Sequence, residues 1–306
     1  MATVNKRIGS AQASTINGVD AGGMMSASID EGYDQEFASG PDGLMCPIID
    51  RCTQYCRGSL VSQDWVEMIN LLTGTLGTYC FYERKSGVVE ATGYVKHTLL
   101  NPVVYDAELS LSSGEKANAL ATCSCSFECR AADPASTVAI LHVPLDSQAA
   151  PTYLPAARGG IRILTTLHGA VSIYHVTNLS AKITIPLRKA SNDGDIAYTA
   201  VDADFNGMSV SGSISFQDAS ITSAKLKCQD LLLAARSSLV ATIRQAGGAA
   251  NKILTIAGVI FGSAKVSPSA NADFSEFTVP FKVCNDATTQ LTLAGVNKII
   301  TIADAT

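Results

Sequence analysis

The sequence predicts a mainly β chain of α+β class, built as two tandem β-sandwich-like domains that each pack one helix on the sheet and are related by internal duplication. Three observations predict it. Gly58-Ser59-Leu60-Val61-Ser62-Gln63-Asp64 recurs as Gly212-Ser213-Ile214-Ser215-Phe216-Gln217-Asp218, a shift of 154 residues in a chain of 306. At that same shift, Cys125-Ser126-Phe127-Glu128-Cys129 falls on Val279-Pro280-Phe281-Lys282-Val283, and Ser26-Ala27-Ser28-Ile29 on Ser180-Ala181-Lys182-Ile183. Each Gln-Asp pair is also followed by apolar residues at helical spacing and flanked by strand-like segments. A repeat of about half the chain means two copies of one unit, so function is sought first in assembly symmetry. Between anchors the shift drifts, setting Asp42-Gly43 against Asp193-Gly194 and Arg84 against Arg244, as loop insertions produce.

In the first copy, Ala27 to Asp30, Leu44 to Ile49 and Gln54 to Val61 read as strands, with Pro41-Asp42-Gly43 as a turn. Asp64 is placed to cap a helix, with Glu67 at capping-box spacing; Trp65, Met68, Ile69 and Leu72 share a face before Gly74. The second copy predicts a longer helix, Ser220 to Ala235, on the spacing of Ile221, Ala224, Cys228, Leu231 and Leu232. Strands are then expected at Thr78 to Arg84, Ala91 to Leu99, Val103 to Leu111 and Ala119 to Arg130. Their counterparts are Leu239 to Gln245, Lys252 to Val266 and Phe274 to Cys284. Gln290 to Ile302 reads as a further hairpin around Gly295. The domain division is 1–135, a proline- and glycine-rich connector 136–165 in which Val138 to Val143 could form a strand, and 166–306.

Charged residues are only 16% of the chain against 47% hydrophobic, a surface better suited to cover by neighbouring subunits than to open water. Net charge is −5 with no dense Lys/Arg run, which argues against adhesion to phosphate backbones. The first residues lack an apolar segment and no stretch of about twenty apolar residues follows, so synthesis in the cytoplasm without membrane spanning is expected.

Nine cysteines include clusters at 46, 52 and 56 and at 123, 125 and 129, which invite a zinc or disulfide reading. Residues 123, 125, 127 and 129 share one face of a strand, and their partners in the second copy are Phe277, Val279, Phe281 and Val283. That face is expected to be core, with cysteine acting as a small hydrophobe; Cys56 falls likewise on Val210. His97, His142, His168 and His175 are scattered without counterparts, and read as surface or strand residues. Asp202-Ala-Asp204-Phe-Asn206-Gly207 matches the start of a calcium loop, but position twelve is Ser213, so an Asx turn is the expectation. Gln63-Asp64 and Gln217-Asp218 are the shared polar signature, read as helix caps with a subunit contact as the alternative. No catalytic, cofactor-binding or metal-binding residue is assigned, and an enzyme is not expected.

The two Gly-Ser-x-x-x-Gln-Asp segments, the helices after them and the long flanking strands resemble the tube-forming proteins of phage tails and related injection machines, some of which carry two fused tube units. The resemblance covers most of the chain and is architectural. It implies a virion structural protein, assembled in the host cytoplasm with other virion proteins. Units would join edge to edge, three chains would form a pseudo-hexameric ring, and rings would stack into a tube that conducts DNA without sequence-specific binding. It implies no cofactor. The alternatives are a capsid protein of two β domains, which needs about eight strands per jelly-roll, and a baseplate or adhesin-type binding module, which needs a discrete aromatic or charged patch.

Overall fold

A computed structural model of the chain describes residues 8–16, 19–20, 24–38, 48–71, 78–85, 94–112, 121–129, 140–145, 160–190, 198, 200–218, 220–222, 225–245, 250–267, 276–284 and 299–305. The first half contributes β1 (Ile8–Ile16), β2 (Val19–Asp20), β3 (Met24–Ala38), β4 (Ile48–Ser62), α1 (Trp65–Leu71), β5 (Thr78–Lys85), β6 (Tyr94–Leu100), β7 (Pro102–Ser112), β8 (Thr122–Cys129) and β9 (Ile140–Leu145). The second half begins with β10 (Gly160–His168), β11 (Val171–Ile173), β12 (Val176–Thr184), β13 (Leu187–Ala190), β14 (Ala200–Ala203) and β15 (Ser209–Phe216). After these come β16 (Ile221–Thr222), β17 (Lys225–Leu226), α2 (Lys227–Leu233), β18 (Ser237–Gln245), β19 (Lys252–Phe261), β20 (Lys265–Ser267), β21 (Glu276–Val283) and β22 (Ile300–Asp304).

The fold is mainly β, and one antiparallel sheet of thirteen strands runs through both halves. Its order is β11-β10-β18-β19-β21-β15-β12-β7-β8-β4-β3, with β20 on β21 and β22 on β19. Five further strands form β2-β1-β5-β6-β9, and β13-β14 and β16-β17 are small hairpins. Alternation sets the faces: in β8, Cys123, Cys125 and Phe127 are buried while Thr122, Ser124 and Ser126 are half-exposed.

The pairings of the first half recur in the second at fixed offsets. The β1·β2 rung Ile16–Val19 becomes His168–Val171 in β10·β11, both residues moving by 152. In β1·β5 and β10·β18, Ser14–Phe81 becomes Thr166–Ala241 and Ala11–Glu83 becomes Ile163–Ile243, with the register shifts at matching places. Tyr79–Leu99 corresponds to Leu239–Ile256, and His97–His142 to Leu254–Ile302. Gly58–Phe127 corresponds to Gly212–Phe281, both at 154. Val103–Glu128 in β7·β8 corresponds to Ile260–Lys282 in β19·β21, and Glu108–Ser124 to Lys265–Thr278 in β20·β21. Ser28–Ser59 in β3·β4 corresponds to Ser180–Ser213 in β12·β15, each pair hydroxyl to hydroxyl at 2.7 and 3.0 Å. Ser28 therefore matches Ser180 at an offset of 152, two residues away from the letter-by-letter match of Ser26 with Ser180.

Two left-handed residues obey the same equivalence. Asn101 (φ 44°) separates β6 from β7, and Gly258 (φ 69°), 157 residues later, lies within β19. Each bends a strand so that its first part pairs with one neighbour and its second part with another.

Buried side chains from both halves form one core cluster. Trp65, Met68 and Ile69 drop from α1 into it, and Ala121 N–H donates to the Gly160 carbonyl at 2.6 Å, tying the halves beside Trp65.

Several expectations change. The second helix is not Ser220 to Ala235 but Lys227–Leu233: Ile221–Thr222 and Lys225–Leu226 pair as β16·β17 instead, as β-branched residues favour. The strand allowed at Val138 to Val143 is present as β9, paired with β6, whereas β10 begins inside the stretch read as connector and runs on to His168. Lys252 to Val266 is divided into β19 and β20. Leu44 to Pro47, both Asp-Gly turns and Gln290 to Lys298 lie outside the described residues, whereas Ile300–Asp304 is a strand on β19.

Candidate functional site

The halves meet where β7 pairs with β12, a seven-rung antiparallel ladder from Asp106–Thr184 to Ser112–Asn178. Its core-facing rungs are Ala107–Ile183, Leu109–Ala181 and Leu111–Leu179, every one of them buried. Its outer rungs are polar: Glu108 opposes Lys182, Ser110 opposes Ser180, and Asp106 accepts from Thr184 Oγ1 at 3.2 Å and pairs with Lys182 Nζ at 3.4 Å. Ile185 N–H donates to the Tyr105 carbonyl at 2.7 Å and extends the joint. The two half-sheets are thus joined by a strand ladder, apolar inside and charge-matched outside.

A second tie crosses the same boundary. Glu128 on β8 is 2% exposed and is ion-paired with Lys189 of β13 and, at 3.6 Å, with Arg57 of β4. Breaking such a buried pair on one side leaves an uncompensated charge, so this contact holds the halves in one geometry.

Among the described residues, β3 pairs only with β4 and ends the thirteen-stranded sheet, while β20 pairs only with β21. β3 is 15 residues long and carries Asp30, Glu31, Asp34 and Glu36. Ala27 and Ile29, which correspond to Leu179 and Ala181, are half-buried, whereas those two are 1% and 0% exposed. The same position is thus finished at the internal joint and unfinished at the edge.

The other residues singled out in the sequence do not converge. Asp64 is buried at the start of α1, its N–H donating to Ser62 Oγ at 3.0 Å and its carbonyl accepting from Met68 N–H at 3.1 Å. Asp218 caps no helix: its carboxylate accepts from Ser220 N–H at 3.0 Å and Tyr174 N–H at 3.3 Å, pinning the corner before β12. Burial raises the Asp218 pKa, but hydrogen bonds from the Ser220 hydroxyl and N–H and from Tyr174, with the Lys227 charge, prevail and hold it below the ordinary carboxylate range. Gln217 donates its N–H to the His175 carbonyl at 3.1 Å.

Asp204 forms the Asx turn, accepting from Asn206 N–H at 3.2 Å, and Arg188 occupies its other oxygen at 2.7 and 3.1 Å. The Arg188 hydrogen bond, opposed by burial and joined by the Arg188 charge, lowers its pKa. Asp202 sits on β14 opposite Arg188. No group of three His, Cys, Asp or Glu residues that could hold a metal ion occurs among the described residues.

Cys56, Cys123, Cys125 and Cys129 are buried and free, as are Cys80 and Cys228, while Cys284 is exposed. The Cys56 thiol hydrogen-bonded to Cys129, together with burial, drives the Cys129 pKa far above the ordinary thiol range, so it is held as an inert thiol. Cys46 lies outside the described residues. His168 is a strand residue, the last of β10, and is 1% exposed, with Nε2 3.1 Å from the Val259 carbonyl and its ring edge-on to Phe261. His97 and His142 are backbone partners in the β6·β9 ladder, and His175 is exposed at a left-handed corner (φ 52°).

A groove of about 600 Å³ lies on the outer face over the joint, lined by Glu108, Lys182, Ser211, Ile260 and Lys282 among others. Ser180, Ser213, Ser263 and the exposed Cys284 also line it. What sequence reasoning missed is the set of edge residues, Glu108, Lys182, Asp30 and Lys265, whose correspondence is visible only once offsets of 152 and 157 replace 154.

Among the described residues, no helix is long and apolar enough to cross a membrane. No family model matches the chain, and no curated protein matches it.

Proposed function

We propose that the chain is a duplicated structural unit that self-assembles in a virion, forming pseudo-hexameric rings of three chains that stack into a tail tube through which DNA passes. The observation that carries this reading is the β7·β12 ladder, where one set of strands joins edge to edge with its register-matched counterpart in the same sheet. A joint made once between equivalent units can be made again between chains, and a head-to-tail repeat of it closes into a ring when the rotation allows. Open edges at both ends of such a chain are a liability that ring closure removes. The acidic balance of −5 suits a lumen past which DNA slides without sticking.

Negative-stain microscopy of the purified chain tests this directly. Hollow tubes or rings with six-fold-like symmetry are the expected result. Closed icosahedral shells would replace the tube with a capsid role, and a monomer at all concentrations would end the self-assembly reading.

A further inference from the structure

Building on that reading, we propose that the β3 edge of one chain pairs antiparallel with the β20 edge of a second copy, residues 28–32 against residues 263–267, in the register of the internal β7·β12 joint. Each ladder of the first half has its counterpart in the second, whereas among the described residues β7·β12 has no twin within the chain. The offsets define that twin. An offset of 157 carries Glu108 to Lys265 and Ser110 to Ser267, and an offset of 152 carries Asp30 to Lys182 and Ser28 to Ser180. Lys265 then stands opposite Asp30, Val266 opposite Ile29, and Ser267 opposite Ser28.

The rungs of this intermolecular joint repeat the chemistry of the internal one. Ser110–Ser180 inside the chain is matched by Ser267–Ser28 between chains, and Leu109–Ala181 by Val266–Ile29. Glu108–Lys182 is matched by Lys265–Asp30, with both signs reversed. That reversal matters because opposite charges directly across a strand pair favour pairing and like charges oppose it. A first half joined to another first half would set Glu108 against Asp30, and a second half joined to a second half would set Lys265 against Lys182. Both mixed joints attract and both homotypic joints repel, so halves alternate around the assembly. The acidic charge of Asp30 and Glu31 on β3 likewise opposes pairing of that edge with itself. The half-exposed Ala27 and Ile29 are the positions that a neighbouring strand would finish burying, as β7 does for Leu179 and Ala181.

The test uses the full chain in two ways. In sedimentation velocity, Lys265→Glu and Asp30→Lys each raise the concentration needed for half-assembly by about tenfold, and the double variant returns it close to the native value. In the second arm, chains carrying Ser28→Cys are co-expressed with chains carrying Ser267→Cys, the assemblies are oxidised, and peptide mapping finds an interchain 28–267 disulfide. The linkage together with charge rescue supports the joint, and the linkage alone supports it whatever the size of the charge effect. Assemblies that form without that linkage overturn this interface and leave self-assembly standing. A native chain that never assembles overturns both.

Discussion

Along β8 the core-facing positions are Cys123, Cys125, Phe127 and Cys129, whereas along β21 the equivalent positions are Phe277, Val279, Phe281 and Val283. One position keeps its residue, the phenylalanine opposite Gly58 in one half and Gly212 in the other. An added Cβ would lie 2.4 Å from the Phe127 ring at Gly58 and 2.5 Å from the Phe281 ring at Gly212. The smaller thiols of the first half are offset by larger neighbours: Trp65 is fully buried, and Tyr79 packs edge-on to Phe127 at 5.0 Å where the second half has Leu239. The second half instead stacks Phe216 on Phe277 at 5.7 Å. The two halves thus hold one register around a glycine–aromatic rung while the filling around it varies, as cores tolerate when volume is kept.

The sharpest way to break this comparison is at the glycines. At Gly212 a Cβ also meets the Ser180 backbone carbonyl at 2.1 Å, while at Gly58 the close atoms belong to the side chains of Phe127 and Leu99. Backbone in a ladder cannot step aside as a ring can. Gly212→Ala is expected to cost on the order of 4 kcal/mol, and Gly58→Ala about 1–3 kcal/mol, read from urea unfolding. Equal costs would show that the two rungs are not set apart by the Ser180 carbonyl.

A smaller effect is expected at Asp218, the second aspartate of the repeat. Asp218 is held below the ordinary carboxylate range in the folded chain, so it binds a proton less readily folded than unfolded. Its contribution is present above the unfolded pKa of about 3.9 and is lost as pH falls through the lower folded value. Thermal midpoints followed downward from pH 6 should therefore decline less steeply below about pH 4 in Asp218→Asn than in the native chain. An unchanged slope would mean that the Tyr174 and Ser220 hydrogen bonds carry no net preference for the carboxylate.

The smallest effect is expected where one half is rewritten as the other. Cys125→Val gives β8 the residue that β21 has at Val279, at a site 2% exposed whose thiol makes a long 3.9 Å contact to the Met68 carbonyl. A change within about 1.5 kcal/mol is expected. A larger loss would show that the Sγ contact to α1 matters beyond volume.

Much of this was legible in the chain itself. The Gly-Ser-x-x-x-Gln-Asp repeat located β4, β15 and the rung that both share, and the cysteine face was recognised as core from its apolar partners. The alignment of Ser26 with Ser180 was two residues off because a shift of two leaves every side chain on its own face, and alternation cannot detect it. Ile8–Ile16, rich in small and polar residues, gave no periodic signal for β1. Ile221, Ala224 and Cys228 keep helical spacing, yet a hairpin claims the first of them, since spacing counts apolar residues and ignores the cost of β branching in a helix. The joint between the halves was the least legible element, because which strands become neighbours depends on the partners available and not on either segment alone.

The β7·β12 joint also has a consequence in time. On the ribosome, β7 is complete at Ser112, but its partner cannot begin to form until Val176 has been made. At ordinary synthesis rates that interval is roughly 3 to 13 s, during which the first half stands with a bare strand edge bearing Glu108. If β3 of a neighbouring nascent chain met that edge in the register of the β7·β12 joint, it would set Asp30 opposite Glu108. Repulsion there would keep the edge open until its own second half arrives.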